Sequence, residues 1–358
     1  MSIAAQLRDS VTLPGGDALV NGRAVEGRAD GSRRALLRNG SELEVYDLYR
    51  VFAGEPEPIA VFPLPWPEWD GGVYSVGPDR SFAVFSGRHA VRAVSRAGKT
   101  LWDYRHGCRG SEVDHPHSGR GREACRGFEH GSCRVSDDGR HVWVHVVFAS
   151  QEHDRQEFRV VLDARDGREL ARLPLDSEAS GSHHLAHPDG VHVGLCIGMG
   201  QDGVLLHWAR RDGERLIDWN LDEGLDRILA DVHPAHSGFL TVEHYGADLR
   251  LHALDGTVLA IGVPEPADDE EDPSCWDHNC GFVDADTVIA TTVDSDGEPE
   301  RARHWLLDAR TLEVRGPLAY PVGPLDSYVR PLGDGTWLTY DGAGGRLDRW
   351  SEAAPRAR

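Results

Sequence analysis

At 358 residues, with a formal net charge of −21, the chain has room for two ordinary domains or one large repeat fold. The charge makes non-specific binding to nucleic-acid phosphates unfavourable, so no nucleic-acid partner is expected. With 41 Gly and 20 Pro, and apolar runs that seldom pass six residues, the chain predicts many short elements joined by turns and excludes long helices as its main component.

No stretch of 18 apolar residues occurs, so no membrane span is expected. The opening MSIAAQLRDSVTLPGG lacks a basic start followed by a continuous apolar core and does not read as a secretory leader. The six cysteines are therefore expected as reduced thiols in the cytoplasm.

Along the chain, one short unit recurs: a small polar turn, often Asp-Gly, followed by an apolar alternation. The turns fall at Asp30, Asp79, Asp138, Asp189, Ser237, Ala285 and Asp334, with spacings of 49, 59, 51, 48, 48 and 49 residues. A second unit follows most of these turns, a strand, a tight polar turn and another strand, as in AVSRAGKTLWDY, VVLDARDGRELARLPL and LHALDGTVLAIGV. Each repeat thus predicts four antiparallel strands. After Asp334 only 24 residues remain, enough for about three strands, and SVTLP (10–14) is available near the N-terminus to supply a fourth. The predicted fold is all-β: a seven-bladed β-propeller of four-stranded antiparallel blades over 1–358, its ring closed by pairing of the N- and C-terminal strands.

VSDDGRHVWVHV followed by VVLDARDGREL, and AHPDGVHVGLCIG followed by GVLLHWARRDGERL, resemble blades of the WD-repeat, YVTN and quinoprotein-like propeller superfamily. AGKTLW (97–102) resembles a fragment of the tryptophan-docking unit of quinoprotein propellers, while the Gly-His and Trp-Asp signatures of true WD repeats are mostly missing. The resemblance implies a fold and leaves function open.

In such a fold, the residues before each first turn lie on the innermost strand. Four consecutive repeats carry histidine there: His130, His183 with His184, His233 with His236, and His278, with Cys133 and Cys280 beside them. Neutral imidazoles from neighbouring blades can hold a transition-metal ion, and His130, His184, His233, His278 and Cys280 form the candidate metal set. The resemblance supports that option, since related propellers in lyase and copper-dependent families hold a metal at the channel mouth. The competing reading is that these histidines bond within their own blades. Of the consecutive pair, only one can face a given side, and His184 is the one expected to face inward.

A second candidate is the insertion at 105–130, which accounts for the 59-residue spacing. Its Arg105, Arg109, His115, His117, Arg120, Arg122 and Arg126 suggest a binding loop, and its cysteine spacing misses the usual structural-zinc patterns. The acidic stretch 264–274 reads as a solvated linker between blades. No G-x-S-x-G, no G-x-x-x-x-G-K-[ST] and no H-E-x-x-H occurs.

Two functions follow from this reading: a cytoplasmic binding module for a protein or small-molecule ligand, or a metal-dependent lyase or oxidoreductase. The residues complete no catalytic set, which favours the binding module.

Overall fold

The computed structural model describes residues 2–21, 24–28, 30–66, 73–107, 131–148, 156–221, 226–235, 238–264, 275–293, 303–321, 328–341 and 345–354. Its strands form five four-stranded antiparallel sheets and one nine-stranded sheet. The nine-stranded sheet contains the sixth and seventh repeats, joined where Ile3 and Ala4 run parallel to Leu318 and Ala319.

The first turn of every repeat is closed by the same main-chain bond, from the last residue before the turn to the first residue after it. The donors are the N–H groups of Arg28, Gly77, Ser136, His187, His233, Val283 and Leu332. Aspartate tightens six of these turns by accepting the N–H two residues on: Asp30, Asp79, Asp138, Asp189, Asp284 and Asp334. In the sixth repeat the aspartate is Asp284, one place before the expected Ala285. The fifth repeat uses an imidazole: His233 Nδ1 accepts the N–H of Ala235 at 3.0 Å.

Two compact units are distinguished, residues 1–37, 45–59 and 227–358, and residues 38–44 and 60–226. Within the first, the N-terminal strand Ile3–Thr12 lies antiparallel to the last strand, Arg346–Glu352, as the spare strand near the N-terminus predicted. The short helix Leu48–Phe52 starts at Asp47, whose carboxylate accepts the N–H groups of Tyr49 and Arg50, and it buries Leu48 and Val51.

The second unit holds the complete second, third and fourth repeats. Its strand His141–Phe148 shows how sequence sets packing. Side chains alternate across a strand. Val142, Val144 and Val146 pack against Val84, Val91 and Trp102 of the second repeat. Trp143, on the opposite face, packs against Val193, Ala209 and Leu216 of the fourth. A strand covered on both faces needs a nearly continuous apolar run, which HVWVHVVF supplies.

Trp102, the tryptophan of AGKTLW, docks on the next repeat. Its Nε1 donates to the Ala164 carbonyl at 2.9 Å. Gly167 (φ +72°) sits beneath the ring, where a Cβ would come within 2.8 Å of it. Any other residue there would meet both the ring and the left-handed backbone.

Candidate functional site

One polar residue interrupts the apolar run of His141–Phe148: His145, on the Trp143 face and therefore turned toward the fourth repeat. It is fully buried. His145 Nε2 lies 3.1 Å from Glu157 Oε2, on the paired strand Gln156–Asp163, and Nδ1 lies 2.8 Å from Ser182 Oγ, on the first strand of the fourth repeat. Ser182 Oγ is 2.8 Å from Ser132 Oγ, which is 2.9 Å from His184 Nδ1. Side chains of two repeats thus form one chain of contacts: His184, Ser132, Ser182, His145, Glu157.

The Glu157 carboxylate fixes the direction of the protons. It also accepts the Ser177 hydroxyl at 2.6 Å and the Ala179 N–H at 3.2 Å, so it acts as an acceptor throughout. With the ring neutral, His145 carries its proton on Nε2 and presents a lone pair at Nδ1. Ser182 donates to that lone pair and in turn accepts from Ser132. Ser132, having used its hydrogen, accepts from His184 Nδ1–H. His184 Nε2 is left as a lone pair; it is buried and makes no hydrogen bond among the described residues.

Burial holds the His184 pKa well below the ordinary imidazole range, and Arg159, a protonated His145 and Arg134 act in the same direction. Arg159 is itself buried. It lies over the Trp143 ring at 4.9 Å and donates to the Val193 carbonyl and to Asp218 at 3.4 Å. Burial lowers its pKa to about 10, which leaves it cationic at neutral pH.

Both ends of the Arg- and His-containing insertion are tied to the strand that carries His145. Gly107 N–H donates to the Val147 carbonyl at 2.7 Å, and the Ser132 carbonyl accepts the His145 N–H at 3.0 Å. Gly107 and Ser132, on either side of the insertion's undescribed residues, are thus bonded two residues apart on one strand. Arg105, the last residue of Thr100–Arg105, projects its side chain into solvent, with Nε 3.7 Å from Asp103. Arg109, His115, His117, Arg120, Arg122, Arg126 and His130 lie outside the described residues.

The other members of the candidate metal set are occupied elsewhere. His233 donates from Nε2 to the Ala285 carbonyl at 3.0 Å while its Nδ1 accepts Ala235 N–H, so both ring nitrogens close a turn. Its counterpart in the fourth repeat is His187, whose Nδ1 accepts Asp189 N–H at 3.3 Å, and not His184. His278 is exposed and its Nε2 bonds the His244 carbonyl at 3.0 Å. Cys280 is a buried free thiol whose pKa burial pushes far up, so it stays protonated. Among the described residues no three His, Cys, Asp or Glu side chains are grouped to hold a metal ion.

Sequence reasoning found His184 and missed Ser132, Ser182, His145 and Glu157. The visible signals were the Gly-Ser dipeptides at 131–132 and 181–182 and the lone histidine inside a buried apolar run.

No family model and no curated protein sequence matches the chain. Solved structures do. The β-propeller domain of Cps50 (Swd1) from Myceliophteria thermophila is 11% identical with a TM-score of 0.53, over 98% of this chain and 99% of that one. Hydrazine synthase of Kuenenia stuttgartiensis is 10% identical with a TM-score of 0.51, over 92% of this chain and 95% of that one. BamB from Moraxella catarrhalis is 14% identical with a TM-score of 0.48, over 99% of both chains. At these identities the likeness concerns architecture, and it agrees with the repeated four-stranded sheets and the docked Trp102. The chain has a β-propeller fold.

Proposed function

We propose that the protein is a binding module whose recognition residues are carried by the 105–130 insertion. The observation that carries this reading is the anchoring of both ends of the insertion on the His145 strand, at Val147 and His145. An inserted segment held at one edge of a sheet framework is a common way to build a recognition surface.

The insertion carries five arginines against four acidic residues, in a chain whose overall charge is −21. The ligand it fits is a protein or small molecule presenting a carboxylate or phosphate, which the guanidinium fork pairs in bidentate fashion. A cytoplasmic location belongs to the same proposal, since the free thiols Cys133, Cys196, Cys275 and Cys280 suit a reducing compartment.

Because the whole chain repels anions, saturable binding of an anionic probe requires a local patch. Fluorescence anisotropy with a fluorescein-labelled oligoglutamate peptide tests this. The expected result is saturable binding, weakened at least tenfold when Arg109, Arg120, Arg122 and Arg126 are all changed to Glu. Equal binding by the two proteins, or none by the unmodified one, would overturn the reading.

A further inference from the structure

We infer that Ser182 is an activated nucleophile, with His145 as its general base and Glu157 as the acid that orients the base. The inference rests on the side-chain geometry of the third and fourth repeats and does not depend on anion binding by the insertion.

Three features support it. Ser182 Oγ is 2.8 Å from one nitrogen of His145, and the other nitrogen is 3.1 Å from Glu157 Oε2, so nucleophile, base and orienting carboxylate stand in hydrogen-bond sequence. With a neutral His145 ring the Ser182 hydroxyl points at its lone pair, which is the ground state a base-assisted attack needs. The base and the orienting carboxylate are buried, whereas Ser182 is half-buried, which makes it the least buried of the three residues.

The reaction class is acyl transfer from an activated ester to water. Ser182 Oγ forms a bond to the ester carbonyl carbon as its proton passes to His145 Nδ1, and Glu157 stabilises the imidazolium. Collapse of the tetrahedral adduct breaks the bond to the leaving alkoxide, which takes the proton back from His145. Water, deprotonated by the same nitrogen, then releases the carboxylic acid and restores Ser182. Nothing is oxidised or reduced. The set supplies a nucleophile, a base and an orienting acid, so the substrates are those needing the least stabilisation at the carbonyl oxygen: small esters with good leaving groups. Ser132 holds Ser182 Oγ from the other side and is a positioning residue.

The test uses the full chain and a fluorophosphonate probe. Serine attack on phosphorus expels fluoride, and His145 takes the proton. Intact mass and peptide mapping are expected to find one adduct per chain, on Ser182. Ser182→Ala, which removes a half-buried hydroxyl and should fold normally, is expected to lose the label completely. Glu157→Gln, checked for an unchanged near-ultraviolet dichroism spectrum, is expected to slow labelling at least tenfold. No adduct on the unmodified protein, or labelling that persists in Ser182→Ala, would overturn the inference. So would a folded Glu157→Gln protein that labels at the unmodified rate.

Discussion

Each unit of the molecule buries a histidine network, and the two networks end differently. In the first unit, His252 accepts the Thr241 hydroxyl at Nε2 (2.9 Å) and donates from Nδ1 to the Gly256 carbonyl (3.2 Å). Thr241 Oγ1 accepts from Arg227 Nε at 2.7 Å, and Arg227 pairs with Asp248 at 2.7 Å. Every link stays within the fifth repeat and both ring nitrogens are used. In the second unit the chain crosses between the third and fourth repeats, has a half-buried hydroxyl at its middle, and leaves His184 Nε2 without a hydrogen bond among the described residues. Buried polar groups are normally satisfied. The first network closes within one repeat, whereas the second joins two repeats and ends on an imidazole nitrogen.

This contrast orders the expected effects of substitution. His252→Ala should cost most, about 3 kcal/mol, because it removes a fully buried ring and strands both the Thr241 hydroxyl and the Gly256 carbonyl. It should leave probe labelling at Ser182 untouched. Chemical denaturation paired with labelling reads both outcomes, and a His252 variant that lost labelling without unfolding would break the distinction.

Acid should act through the same histidine. Burial lowers the His252 pKa from 6.5 to about 4, with the Gly256 contact opposing the shift. The unfolded chain therefore takes up a proton near pH 6.5 that the folded chain refuses until about pH 4. The stability that depends on the neutral ring is present in full above pH 6.5 and is lost as pH falls between those values, by up to about 3 kcal/mol. His184, whose pKa burial also lowers, adds loss in the same direction. Thermal melts between pH 7 and 4 should show the decline, and His252→Gln should flatten it.

Smaller effects are expected in the open network. Glu157→Gln removes the carboxylate that receives His145, Ser177 and Ala179, at a cost of about 2 kcal/mol. Ser182→Ala should cost about 1 kcal/mol or less, since its site is half-buried, yet it should abolish labelling. A Ser182→Ala penalty as large as that of His252→Ala would make the open network structural as well.

The fold was legible because its signals are local. Asp-Gly turns, the alternation after them and the spare N-terminal strand can all be read within a dozen residues, and Asp30, Asp79, Asp138, Asp189 and Asp334 form the turns assigned to them. The sixth turn uses Asp284 in place of Ala285, since a side-chain acceptor outweighs even spacing, and Ser237 of the fifth lies outside the described residues.

The site was legible only at His184, because its other members are defined by contacts across repeats. Ser132 and Ser182 are 50 positions apart, and His145 and Ser182 are 37 apart. Which face His145 takes depends on strand register, and a shift of one residue sends a side chain to the other face. His184 and His233 shared the candidate metal set, whereas the fourth-repeat residue that stands where His233 does is His187. Counting back to a turn locates a strand, but it does not fix which histidine closes the turn.

The central claim is a direction of proton donation, and the tautomers of two buried imidazoles test it most directly. Nitrogen-15 NMR of histidine-labelled protein at neutral pH, assigned with His145→Gln and His184→Gln, reads which ring nitrogen carries hydrogen. The account predicts Nε2–H for His145, facing Glu157, and Nδ1–H with a bare Nε2 for His184. A proton on His145 Nδ1 or on His184 Nε2 would contradict it.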